Sequence, residues 1–194
     1  MNGKTPRKQL ILEALASELE RKPGVRITTA SLAQACGISE AALYRHFASK
    51  AKMFEGLIGF AEETVFARIN QILEEDKNTR SRCAKVIYLM LAFSARNPGI
   101  TRVLLGDALV GETERLHVRV EQFFSRLESQ FRQILREARM REGGDSSSAE
   151  TGAGLMLALV EGRMHQFLRT RFRVSPLDEW EGQWELLDGV LFPV

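Results

Sequence analysis

A chain of 194 residues with 44% hydrophobic and 27% charged side chains is long enough to bury a sizeable core and too apolar for a disordered one. It has no apolar run of the length a bilayer requires and no charged-then-apolar leader, so a cytoplasmic protein without a membrane span is expected. The formal charge of +2 hides an asymmetry: between Met1 and Lys52 nine basic residues stand against four acidic ones, which points to a polyanionic partner for that end.

Helical periodicity runs through the chain, without the two-residue alternation of strands. Leu10, Ile11, Ala14, Leu15 and Leu19 predict an amphipathic helix from about Pro6 to Glu20, broken by Lys22-Pro23-Gly24. Thr28 or Thr29 caps a short helix that stops at Cys36-Gly37. Ser39 caps a third through Phe47, and Ser49 opens a long fourth to about Glu74. A polar stretch from Glu75 to Ser81 precedes an apolar helix over Cys83–Arg96. Asn97-Pro98-Gly99 marks a turn before a helix to about Val110, and a long helix is expected from Glu112 to Arg141. Residues 143–148 read as a loop by composition, and helices over Ala149–Phe172 and Leu177–Leu191 complete the chain. Cys36 and Cys83 form no CxxC pair, so neither a disulfide nor a zinc framework is expected.

Residues 27–47 carry the strongest signal. A helix-turn-helix needs a short helix, a tight turn and a second helix exposed along one side. Gly37 supplies the turn, Ile38 fills the angle, and Leu43 and Phe47 face inward with Leu32 and Ala33. Ala41 and Ala42 are small enough to admit the helix backbone to a major groove. Arg45 matches guanine O6 and N7, while Tyr44 and His46 suit phosphate oxygens. Lys50, at the start of the next helix, adds charge toward the same backbone.

Thr29 through Lys50 resembles the DNA-binding domain of the TetR family of transcriptional regulators: Tyr44, His46, Phe47 and Lys50 match its Tyr-x-His-Phe and following Lys. Residues 26–142 resemble more narrowly the nucleoid-occlusion branch of that family. Arg26-Ile27-Thr28-Thr29, Ser39 to Phe47, Arg96-Asn97-Pro98-Gly99 and Arg136 to Gly143 carry the likeness, with Ala48 where proline is common and Ala92 where glycine is expected. The resemblance implies an all-α fold, with a three-helix helix-turn-helix domain over residues 1–52 and a helical dimerisation and partner-binding bundle over 53–194. It implies a nucleoid-associated homodimer that reads palindromic double-stranded DNA through Thr28, Thr29, Ser39, Ala41, Ala42, Tyr44, Arg45, His46 and Lys50. It further implies that the DNA-bound dimer engages the division protein FtsZ through Phe60, Arg68, Leu89, Ala92, Arg96 and Asn97.

The last long helix is apolar on more than one side, and Ala158 and Gly162 permit close helix approach. Leu155, Leu159, Gly162 and Phe167 are therefore the expected dimer contacts. Leu116, Val120, Phe123, Leu127, Phe131, Ile134 and Ala138 form a heptad-like seam on the helix before it, fitting a bundle stripe or a coiled coil. Two other classes compete. A ligand-responsive repressor of the same fold would need an enclosed pocket among residues 83–172. A metal-dependent helical enzyme would use Glu114, His117, Glu161 and His165, but Glu-x-x-His occurs once where a di-iron bundle needs two. No cofactor and no catalytic residue are expected.

Overall fold

The computed structural model describes residues 6–142 and 147–192, the side chains of 139–142 and 147 excepted. Among the described residues the chain is helical, with nine α-helices and no strand. They are α1 (Arg7–Arg21), α2 (Thr29–Ala35), α3 (Glu40–His46), α4 (Lys50–Glu75), α5 (Thr79–Arg96), α6 (Pro98–Leu104), α7 (Glu114–Glu142), α8 (Ser147–Arg169) and α9 (Trp180–Leu191). Contacts divide the chain into two compact units: Met1–Glu62 with Asn97–Val120, and Glu63–Arg96 with Glu121–Val194.

In the first unit α1 buries Ile11, Leu15 and Leu19 and packs against α2, α3 and α6. The approach of α6 is very close: a Cβ on Gly99 would stand 2.0 Å from the Ala16 carbonyl oxygen, so only glycine fits there. Arg102 of α6 is 1% exposed and donates to the carbonyls of Leu19 and Lys22, at 2.8 Å each. These carbonyls close α1. A helix end leaves such acceptors without intrahelical partners, and Pro23, four residues after Leu19, has no N–H to offer. The helix expected from the Asn97-Pro98-Gly99 turn to Val110 ends instead at Leu104, because Gly106 turns left-handed at φ 76° and only a 3-10 turn over Asp107–Leu109 follows.

In the second unit α5 begins at Thr79, four residues ahead of the expected Cys83. Asn78 explains the difference, since its Oδ1 accepts from the Ser81 N–H at 2.9 Å while its own N–H donates to Asp76. Arg82, 6% exposed, donates to the carbonyls of Leu73 and Asp76 and to Glu137. The seam on α7 supplies Phe123, Leu127, Phe131, Ile134 and Ala138 to the core, with Phe66 packed on Phe123 at 5.3 Å between ring centres. Helix α8 stops at Arg169 rather than Phe172, where Arg171 and Phe172 take left-handed φ values of 52° and 63°. Helix α9 starts at Trp180 rather than Leu177, after Glu179 at φ 58°, and Arg163 holds the intervening loop through the carbonyls of Ser175, Pro176 and Asp178. Residues 143–146 of the expected loop lie outside the described residues, and α8 already begins at Ser147.

Candidate nucleic-acid interface

The reading head is built by local capping. Thr28 Oγ1 accepts from the Ser31 N–H at 3.1 Å, and Ser31 Oγ accepts from the Thr28 N–H at 3.2 Å, closing a capping box at α2. Gly37, at φ 63°, turns the chain, and Ser39 Oγ then accepts from the Ala42 N–H at 3.1 Å to open α3. Thr29 Oγ1 donates to Glu40 Oε2 at 2.7 Å and fixes the start of α2 to the start of α3. Leu32, Ala33 and Leu43 are buried beneath. What remains outside is a face of α3 carrying Ala41, Tyr44 and Arg45, with Tyr44 46% exposed. Ala42 and His46, expected on that outer face, are half-buried.

Electrostatics then sorts the basic side chains of this unit. Arg21 and Lys22 are held by Glu18, Arg26 and Lys50 by Glu112, Lys52 and Arg115 by Glu55, Arg119 by Glu62, and Arg102 by Asp107. Lys50 therefore differs from expectation: its Nζ lies 2.7 Å from Glu112 Oε1, with the side chain 17% exposed, instead of standing open to a phosphate. Its ammonium also sits over the Phe54 ring, 5.3 Å from Nζ to ring centre. Arg45, on the outer face of α3, has no carboxylate partner among the described residues, as base reading requires.

The other expected site residues fall in different places. In the second unit Arg68 and Arg96 are exposed and Leu89 is half-buried, whereas Ala92 is 8% exposed and belongs to the core. In the first unit Phe60 is 48% exposed and Asn97 is half-buried at the start of α6. On α8, Leu155 is 44% exposed, Leu159 half-buried and Gly162 open to solvent. Phe167 is corrected: it is 4% exposed and packs on Phe172 at 5.0 Å within the protomer, unavailable as a surface contact. Leu186 and Val190 of α9, four residues apart and not among the expected contacts, are 77% and 71% exposed. His117 Nε2 meets the Leu109 carbonyl oxygen at 3.2 Å, and burial raises the Glu161 carboxyl above its usual value. No group of three or more His, Cys, Asp or Glu side chains among the described residues is placed to hold a metal.

Comparison with known proteins decides the family. Residues 11–57 match the model of bacterial regulatory proteins of the tetR family, and residues 77–191 match the SlmA-like tetracyclin repressor-like C-terminal domain. A nucleoid occlusion factor SlmA from Alteromonas mediterranea is 52% identical over 182 residues, 93% of each chain. Another from Shewanella pealeana is 52% identical over 189 residues, 97% of this chain and 96% of that protein. The chain belongs to the SlmA group of the TetR family. The MbdR regulator from Azoarcus sp. CIB shares the fold, with a TM-score of 0.78 at 16% identity over 97% of this chain and 98% of that one. As a TetR-family member the chain is a DNA-binding regulator, and the helix-turn-helix of α2 and α3 is its DNA-reading element. No described helix is long and apolar enough to cross a membrane.

Proposed function

We propose that this SlmA-group chain acts on the nucleoid as a homodimer that reads palindromic duplex DNA and, when DNA-bound, engages FtsZ to inhibit Z-ring assembly over the chromosome. Residues 1–52 serve as the DNA-reading module and 53–194 as the dimerisation and partner-binding module. The observation that carries the reading is the identity of 52% with nucleoid occlusion factors over nearly the whole chain, joined to an Arg45 on the open face of α3 with no carboxylate partner among the described residues.

Dimerisation is supported by α8 and α9, which carry Leu155, Ala158, Gly162, Leu186 and Val190 on open surface. Apolar faces of this kind seek a partner, and two such helices from each protomer build a four-helix bundle. A twofold dimer presents two recognition helices about one helical turn apart, roughly 34–36 Å. For FtsZ, exposed Arg68 of α4 and exposed Arg96 of α5 suit an acidic segment, and half-buried Leu89 of α5 offers an aliphatic contact.

The test is co-sedimentation of the purified protein with FtsZ polymers, with and without a duplex carrying its palindrome. Binding or disassembly only with duplex present is expected. Arg68→Asp or Arg96→Asp abolishes that effect and leaves DNA affinity unchanged, whereas Arg45→Ala lowers base preference at one position by about 1–3 kcal/mol. FtsZ polymers indifferent to the DNA-bound protein would refute the reading. A ligand-responsive repressor is the alternative reading; the cleft of about 510 Å³ in the second unit does not favour it, being open on one side and lined as much by residues 77–80 and 190–192 as by Leu135, Ala138 and Leu155 within residues 83–172. Release of duplex by a small molecule, with FtsZ unaffected, would support it instead.

A further inference from the structure

The sorting of cations in the first unit leaves Arg7 and Lys8 in the same condition as Arg45: exposed, and with no carboxylate partner among the described residues. All three therefore keep their full charge available to an external anion. Position singles out Arg7 and Lys8 further. They form the first turn of α1, which contains no acidic residue. The next carboxylate along the helix, Glu13, accepts from Gln9 at 3.0 Å, and five or six residues of separation place it on a different side from either cation. Lys8 Nζ lies 5.9 Å from the centre of the Phe47 ring, the residue that closes the reading helix α3. Arg7 is near enough to Cys36, which closes α2, for its charge to act against the upward push of burial on that thiol.

The first turn of α1 is thus seated beside the C-terminal ends of both helices of the reading head. A helix lying in a major groove has a phosphate strand along each side of it, at one negative charge per about 1.7 Å of duplex axis. Unpaired cations beside the end of that helix meet this strand.

We propose that Arg7 and Lys8 extend the DNA interface beyond the helix-turn-helix by contacting backbone phosphates that flank each half-site. The inference rests on the dimeric DNA-binding reading and adds four phosphate contacts per dimer. Such contacts position the protein and raise affinity without reading sequence. They also supply a salt-dependent term that Lys50, held by Glu112, does not provide in this arrangement.

The experiment measures fluorescence anisotropy of a labelled duplex carrying the palindrome enriched by the wild-type protein from a random-sequence library, between 50 and 200 mM salt. Each phosphate contact contributes about 0.9 to the slope of log affinity against log salt. Arg7→Ala/Lys8→Ala is expected to flatten the slope by about 3–4 units, so the ratio of affinities at the two salt concentrations shrinks about a hundredfold. Preference between the palindrome and a scrambled duplex stays as in wild type. Arg7→Lys/Lys8→Arg retains the wild-type slope. Arg169→Ala/Arg173→Ala removes the same charge from exposed positions in the second unit and also retains it. An unchanged slope in the alanine variant, an equal loss in the Arg169/Arg173 control, or a loss confined to FtsZ co-sedimentation would each overturn the proposal. Wild-type protein that binds no duplex at all would instead overturn the reading on which it stands.

Discussion

Replacing Arg102 with methionine keeps the volume of the side chain and removes every donor. In the native arrangement its guanidinium serves two carbonyls at the end of α1 and the Asp107 carboxylate. The three partners are unequal. The Leu19 carbonyl is buried and loses a charge-assisted bond worth about 1.5–3 kcal/mol. The Lys22 carbonyl still accepts from the Val25 N–H at 3.1 Å, and Asp107, whose side chain is 32% exposed, is partly rescued by water. Together these add about 1 kcal/mol, since screened or shared partners lose little. The expected destabilisation is therefore about 2.5–4 kcal/mol, or a melting temperature lower by roughly 5–16 °C for a chain of this size. Urea unfolding followed by circular dichroism measures it, and Arg102→Lys should fall between, since an ammonium on a flexible stem cannot reproduce the fork. A loss below about 0.5 kcal/mol for Arg102→Met would mean that solvent replaces the guanidinium at the end of α1, and the capping argument would fail.

Leu186→Glu leaves the protomer's packing untouched, because the side chain is 77% exposed, and should convert the proposed dimer to a folded monomer in sedimentation velocity. A stable dimer would move the interface away from α9. Glu18 is 4% exposed, and its carboxyl is held below its usual value chiefly by the hydrogen bond from Lys22, with burial opposing and Arg21 assisting. A depressed folded-state value stabilises above the unfolded one and is lost as pH falls through the folded one. Glu18→Gln should thus flatten the acid limb of stability below about pH 4.5, and an unchanged limb would discount the cluster. Burial pushes the Cys83 thiol up to about 12. A thiol reagent at about pH 8 should therefore modify Cys36 first and reach Cys83 only on unfolding. Equal rates for the two would contradict the packing around Cys83.

What could be read from the sequence was what neighbouring residues decide among themselves. Thr28 and Ser39 start their helices through hydroxyls that reach three residues ahead, and Gly37 bends the chain on its own account. Helix ends set by distant or unusual backbone were harder. Asn78 begins α5 from within a run of polar residues that masked its cap, and Glu179 delays α9 by adopting a left-handed conformation that a glutamate rarely takes. The charges were least legible. Lys50 and Arg45 look alike on the page, yet Glu112, 62 residues beyond Lys50, engages one and leaves the other open. Phe167 and Leu186 are likewise two large apolar residues on late helices, and only packing separates the core residue from the surface one.

The contact between Gly99 and Ala16 bears on how this protein can be recombined. Helix α1 gains its close cover and its terminal donor from a segment some eighty positions later in the chain. A chimera that grafts residues 1–52 onto a foreign scaffold would transfer the recognition helix and leave behind the glycine and arginine on which α1 is seated. Exchange of DNA specificity between members of this group is therefore better made by rewriting the outer face of α3 in place than by moving the reading head as a cassette.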